Sequence, residues 1–271
     1  GRDGRGRGNP RPLTSVRARQ LALRPFPVGT AEPGPLGDHV MGMVVLAWLA
    51  TPAVQRWGRA FMRSGSLSMT LERPMHADQE LRIDHRLDAA TINTTIDDRE
   101  GNRCVSASAS LLKAASASLE TAVIDFRDSH VGGRVAATPD ALREAVLPSI
   151  EFDFDAERDL AFLDGLPDAA AWRRAAWAHP AWLGTAVNAA IALGIDVGDP
   201  PRWSQIATEV HLVSPIEHRQ RISMNTRVAR LSRRGRHDVA HLECAFHVGE
   251  RFVAFARNDV IYRSEAQTSG A

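Results

Sequence analysis

The stretch RPMHADQELRIDHRL, from Arg73 to Leu87, returns in outline 141 positions later as SPIEHRQRISMNTRV, from Ser214 to Val228. Pro74 matches Pro215, Leu81 matches Ile222 and Leu87 matches Val228, so turn and apolar phase are both kept. An internal repeat of this length constrains the fold more than composition does. Whatever buries one copy must bury the other, and the two must cover each other's apolar faces.

The surroundings of each copy repeat as well. Upstream of the first, Asp38 to Ala50 is apolar on almost every face, which predicts a buried helix with Asp38 as its N-cap. Alternating apolar residues then predict four strands, around Leu67 to Leu71, Leu81 to Leu87, Ile92 to Ile96 and Val105 to Leu111. Upstream of the second copy, HPAWLGTAVNAAIALGI predicts a helix. Pro180 stands at its first position, and Trp182, Ala186, Ala190 and Leu193 form one stripe. Strands are again expected at Ile206 to Leu212, Ile222 to Val228, Ala240 to Val248 and Val253 to Tyr262.

A helix plus four antiparallel strands, twice, implies an α+β fold with a continuous sheet around two central helices. The expected organisation is a basic disordered tail over residues 1–15, a first repeat over 16–116 and a linker over 117–146. A second repeat over 147–263 and a short disordered tail over 264–271 complete it. Helical segments are also expected at about Ala156 to Leu163 and Asp168 to Ala178, split by Gly165-Leu166-Pro167.

Six of the 33 basic residues lie in the first twenty positions against Asp3 alone, which leaves the body with 27 basic and 31 acidic side chains. A mildly acidic body argues against nucleic acid as a partner. The apolar run Val40 to Ala50 is about half of what spans a bilayer, and the Arg/Gly-rich start has no apolar signal core, so the expected location is cytoplasmic. Cys104 and Cys244 sit in separate strands, and the ten histidines show no HxH or HExxH spacing. Neither a disulfide nor a metal site is expected, and nothing implies a cofactor.

VRAR at Val16 to Arg19, LERPMHADQEL at Leu71 to Leu81, AHPAWLGTAVNAAI at Ala178 to Ile191, TEVHLVSP at Thr208 to Pro215 and VIYR at Val260 to Arg263 carry a resemblance. In order and spacing the chain resembles the MaoC-like acyl dehydratase and enoyl hydratase family. That resemblance implies a double hotdog fold and a partner that is an acyl thioester of coenzyme A or acyl carrier protein. It also implies hydro-lyase chemistry, water being added to a 2-enoyl group or removed from a 3-hydroxyacyl group. One fused chain supplies the pairing that single hotdog proteins reach by dimerising, so a monomer or a homo-oligomer is compatible.

The family's Asp-x4-His pair and the His-Gly at the helix start are both missing. The corresponding loop, LALRPFPVGTAEPGPLG from Leu21 to Gly37, contains no Asp and no His, and the chain reads Met41-Gly42 where His-Gly is expected. A literal DFRDSH, with Asp125 and His130, lies in the linker, too far from the second helix to serve. The replacement candidates are Asp38 and His39 as acid/base groups at the first helix mouth, with Gly42 N–H and Met41 at the thioester. His76 in the Pro74 turn, and His179, Trp182 and Asn188 on the second helix, are the further substrate-binding candidates. Each has a plainer role open to it: Asp38 as a cap, His39 at the surface, His179 and Asn188 as a core pair. The run Arg230 to Arg236 reads either as a charged hairpin tip or as a contact for coenzyme A phosphates. Two alternatives to a hydratase follow from the missing pair: a non-catalytic binder of acyl thioesters or polyketide-like ligands, and a hotdog thioesterase.

Overall fold

The structure is a computed structural model, and it describes residues 14–17, 40, 42–76, 79–88, 90–112, 133–198 and 203–264. The first half comprises β1 (Thr14–Arg17), α1 (Gly42–Trp57), α2 (Arg59–Ser64), β2 (Gly65–Leu71), β3 (Glu80–Asp88), β4 (Thr91–Asp97) and β5 (Arg103–Leu111). After β6 (Val135–Ala136) and α3 (Pro139–Leu142) the second half opens with β7 (Val146–Asp153). It continues through α4 (Ala156–Asp159), a single 3-10 turn at Ala161–Leu163, α5 (Ala169–Ala175), α6 (Pro180–Gly194) and β8 (Ile195–Asp196). The long strands β9 (Ser204–Leu212), β10 (Arg221–Arg234), β11 (His237–Val248) and β12 (Arg251–Ser264) finish it.

Ten of these strands form one sheet in the order β1-β3-β4-β5-β2-β9-β12-β11-β10-β7. The order is its own mirror about the β2–β9 seam, β5 answering β12, β4 answering β11, β3 answering β10 and β1 answering β7. The two repeats are therefore joined edge to edge, with Leu67 opposite Val210 and Met69 opposite Thr208 at the seam. Joining them there covers one edge of each half and leaves β1 and β7 as the edges of the sheet.

Both long helices lie on the inner face and touch each other. A Cβ on Gly184 of α6 would stand 2.0 Å from Met43 Sδ of α1, so only glycine lets the helices approach this closely. Val44, Leu46, Leu67 and Ile96 from one half and Leu183, Val187, Met224 and Phe246 from the other belong to a single buried cluster. A second cluster, Leu142, Leu147, Ile191, Val228, Leu242 and Tyr262, closes the far end of the second half.

Each half has five strands in the large sheet, where four were expected after each helix. The added strand precedes the helix in both. In the second half this is β7, whose alternation is broken by Pro148 and whose register against β10 slips between Met224 and Thr226. An edge strand tolerates both. The first helix also runs seven residues past its expected end at Ala50, through Pro52, giving up the bond that residue's N–H would have made to the Trp48 carbonyl. The expected Asp38 cap lies outside the described residues, as do His39, Met41, Asp125 and His130. Strand β1 begins at Thr14, inside the segment expected to be a disordered tail, and β12 reaches Ser264.

The repeat holds at its best-matched position and fails at its weakest. Leu81 and Ile222 are both fully buried, whereas Leu87 is 54% exposed against 1% for Val228. Val228 is covered by the second cluster, which α3 and β7 help to build. Cys104 and Cys244 are free and buried, and burial pushes the Cys244 thiol up to about 12. Among the described residues no helix is long and apolar enough to cross a membrane, and no three acidic, histidine or cysteine side chains gather as metal ligands.

Candidate functional site

The mouth of α1 faces the opposite half. Val40 N–H donates to the Met75 carbonyl at 2.8 Å, which ties the chain entering α1 to the Pro74 turn. A Cβ on Gly42 would lie 2.4 Å from Gln205 Oε1 and 3.1 Å from Leu71 Cδ1, so glycine is what admits the β9 side chain over the first helical turn. The first turn of α1 contains no acidic residue to neutralise its dipole.

Gln205 belongs to a polar set at the centre of the sheet. Its Nε2 donates to Thr208 Oγ1 and, at 3.3 Å, to Asn258 Oδ1; the Thr208 hydroxyl donates to the same Asn258 oxygen at 2.5 Å. Thr208 and Asn258 are direct cross-strand partners on β9 and β12, both buried. Asn258 Nδ2 is buried with no hydrogen-bond partner. An orphaned buried donor or acceptor costs about 1–3 kcal/mol, a condition that Asn258 Nδ2 shares with His179 Nε2 and Asn188 Oδ1. Gln205 faces inward because the register slips between Asp259 and Val260, leaving Ile206 as an extra residue and putting Gln205 on the same side as Thr208.

The mouth of α6 is built differently. His179 is its N-cap, its Nδ1 accepting from Ala181 N–H at 3.0 Å, and Pro180 next to it has no N–H to offer a ligand. The ring is fully buried, edge-on to Trp172 with centroids 4.6 Å apart and to Phe162 at 5.7 Å. Burial, only partly opposed by the nearby Asp168 carboxylate, pulls its pKa down to about 4. Asp168 in turn accepts from Thr51 Oγ1 of α1 at 2.7 Å and from Trp172 Nε1 at 2.9 Å, which stitches α1 to the element before α6.

The expected site residues thus fall in different places. Gly42 lines the α1 mouth. Trp182 is buried against the rings of Phe152 and Phe154, at 5.3 and 4.8 Å between centroids. Asn188 is half-buried with its Oδ1 unpartnered, and His76 is exposed in its turn, its backbone N–H bound by Gln79. Arg230 to Arg236 closes the β10–β11 hairpin at an exposed tip. Gln205 and Asn258 were not foreseen; the one available signal was an amide interrupting the small apolar series Ala254, Ala256, Val260.

No protein-family model and no curated protein matches this sequence. Solved structures do. A conserved hypothetical protein of Mycobacterium tuberculosis with a double hotdog fold superposes at a TM-score of 0.55 and 14% identity, covering 89% of this chain and 87% of that one. A Lactobacillus plantarum protein provisionally described as an oleoyl thioesterase gives 0.53 and 9%, over 92% and 96%. A MaoC-like dehydratase gives 0.48 and 15%, over 80% and 82%. At such identities the likeness shows the fold: the double hotdog architecture implied by the sequence resemblance is present.

Proposed function

We propose that this chain acts on an acyl thioester of coenzyme A or acyl carrier protein, held with its carbonyl at the mouth of α1, and that the reaction there is hydrolysis. The carrying observation is the buried Gln205–Thr208–Asn258 set, with its unpartnered Asn258 Nδ2, facing a helix N-terminus. The positive end of α1 would polarise the thioester oxygen, and Asn258 Nδ2 is a spare donor for the same oxygen or for water. A hydroxyl and two amides orient a water molecule but do not move protons at neutral pH. Hydrolysis therefore draws its base from Asp38, just before the same mouth, which would take the proton of the attacking water and return it to the departing thiolate; the Lactobacillus protein is described as a thioesterase.

The second reading is the hydro-lyase reaction, favoured by the position of Asp38 and His39 just before the same mouth. It requires one of them to move the proton at the α-carbon, since no described member of the polar set titrates.

One assay separates these. The purified chain is offered saturated and 2-enoyl acyl-CoA of increasing length, while free thiol and the enoyl absorbance are followed together. Thiol release that falls about 100-fold in Asn258→Ala supports hydrolysis at this site. Enoyl loss without thiol, abolished in Asp38→Ala or His39→Ala, supports the hydro-lyase instead. Binding by calorimetry with neither signal would leave a non-catalytic acyl-thioester binder.

A further inference from the structure

The outward face of the second half carries an arrangement that the α1 mouth does not use. Ser232, His241 and Asp259 project from the same side of three adjacent strands, β10, β11 and β12. His241 is directly opposite Asp259 on one side and Arg230 on the other, and Ser232 lies two residues beyond Arg230. Asp259 Oδ1 is 2.6 Å from His241 Nδ1, and Ser232 Oγ is 2.7 Å from His241 Nε2. An ionised carboxylate only accepts, so the ring proton sits on Nδ1 and the Nε2 lone pair accepts the serine O–H. This is the tautomer in which an imidazole can draw a proton from a serine hydroxyl.

The His241 side chain is 16% exposed and Asp259 34%, while Ser232 stands in the open. Beside them runs a groove of about 450 Å³ whose wall includes Ser68, Thr70, Arg230, His241, Arg257 and Asp259. Arg257 is held by Glu209 and Glu243. Arg230, two residues before Ser232 on the same face, has no carboxylate partner among the described residues; its Nη2 is 3.4 Å from His241 Nδ1, a long donor-to-donor contact that does not hold it, so its charge can turn to an oxyanion at Ser232.

We propose that Ser232, His241 and Asp259 form a second site, on the outer face of the sheet, that hydrolyses small carboxylic esters. Ser232 Oγ attacks the ester carbonyl carbon as its proton passes to His241 Nε2. The acyl C–O bond then breaks, and His241 returns the proton to the departing alcohol. Water, deprotonated by His241, attacks the acyl-serine; the carboxylic acid leaves and Ser232 recovers its proton. Asp259 holds the ring and stabilises the imidazolium. An alcohol is the better leaving group for a site with a single cation at the oxyanion, so esters and not amides are the substrates.

The full-length chain is treated with a fluorophosphonate probe and the adduct is located by peptide mass spectrometry, in parallel with p-nitrophenyl acetate hydrolysis. The expected result is an adduct on Ser232. Labelling and hydrolysis should both be lost in Ser232→Ala and lowered about 100-fold in His241→Asn, with thermal melting unchanged because these side chains lie on the outer face. No adduct, an adduct at another serine, or labelling of Ser232 at an undiminished rate in His241→Asn would overturn the proposal.

Discussion

Replacing His179 by asparagine should flatten the chain's response to acid. In the folded state His179 Nδ1 must keep its lone pair to accept Ala181 N–H, and the ring lies buried at the positive end of α6. Protonation would break the cap and place a cation in apolar surroundings between Trp172 and Phe162, against which Asp168 is the only opposing charge identified. The folded pKa is accordingly about 4, against 6.5 for the unfolded chain.

The sign follows from proton counting. Above pH 6.5 neither state is protonated at this residue and its contribution is complete. Between 6.5 and about 4 the unfolded state binds the extra proton, so stability falls as pH falls; below 4 no more is lost. At 1.36 kcal/mol per pH unit the total is about 3 kcal/mol, a large share of the stability of an ordinary domain. Urea unfolding at half-unit steps from pH 7.5 to 4 measures it. Asparagine caps helices well and does not titrate here, so the difference between wild type and His179→Asn isolates this group from the carboxylates that titrate lower. Wild type should lose about 3 kcal/mol more than the variant across the interval. Parallel curves would refute the assignment of a buried, neutral cap.

Gly184→Ala should destabilise the protein by about 1–3 kcal/mol, because its Cβ would stand 2.0 Å from Met43 Sδ; chemical denaturation reads it, and Met43→Ala in the same chain should recover part of the loss. Asp168→Ala leaves the Thr51 hydroxyl and Trp172 Nε1 without their acceptor and should cost about 1–3 kcal/mol. It should also raise the acid sensitivity of His179 by removing the one nearby charge that favours the imidazolium.

The repeat was legible because burial enforces phase. Leu81 and Ile222 must point the same way if each half is to cover its own helix, and a mirror-ordered sheet follows from pairing two such halves at one seam. The start of α6 was legible for a local reason, Pro180 after a capping residue. The leading strand β7 was not, since Pro148 and a register slip erase its alternation. Nor was the C-terminal end of α1, where burial of Ala53 and Val54 outweighs the bond forfeited at Pro52.

Both candidate sites were hidden by the same device. Along β10 the inward residues are Ile222, Met224, Thr226 and Val228; the register then shifts before Arg230, and Leu231 becomes the residue packed against the second cluster. That single slip turns Arg230 and Ser232 outward, beside His241. On β9 the slip at Ile206 acts in the opposite sense and turns Gln205 inward, onto Asn258 and the mouth of α1. Alternation read from sequence assumes an unbroken period of two, and carried through these two slips it would turn Gln205 outward and Ser232 inward. A bulge re-aims a polar side chain at little cost to the core on either side of it. In this chain, register slips between long strands are therefore the places to look for chemistry, ahead of the helix mouths to which the repeat first draws attention.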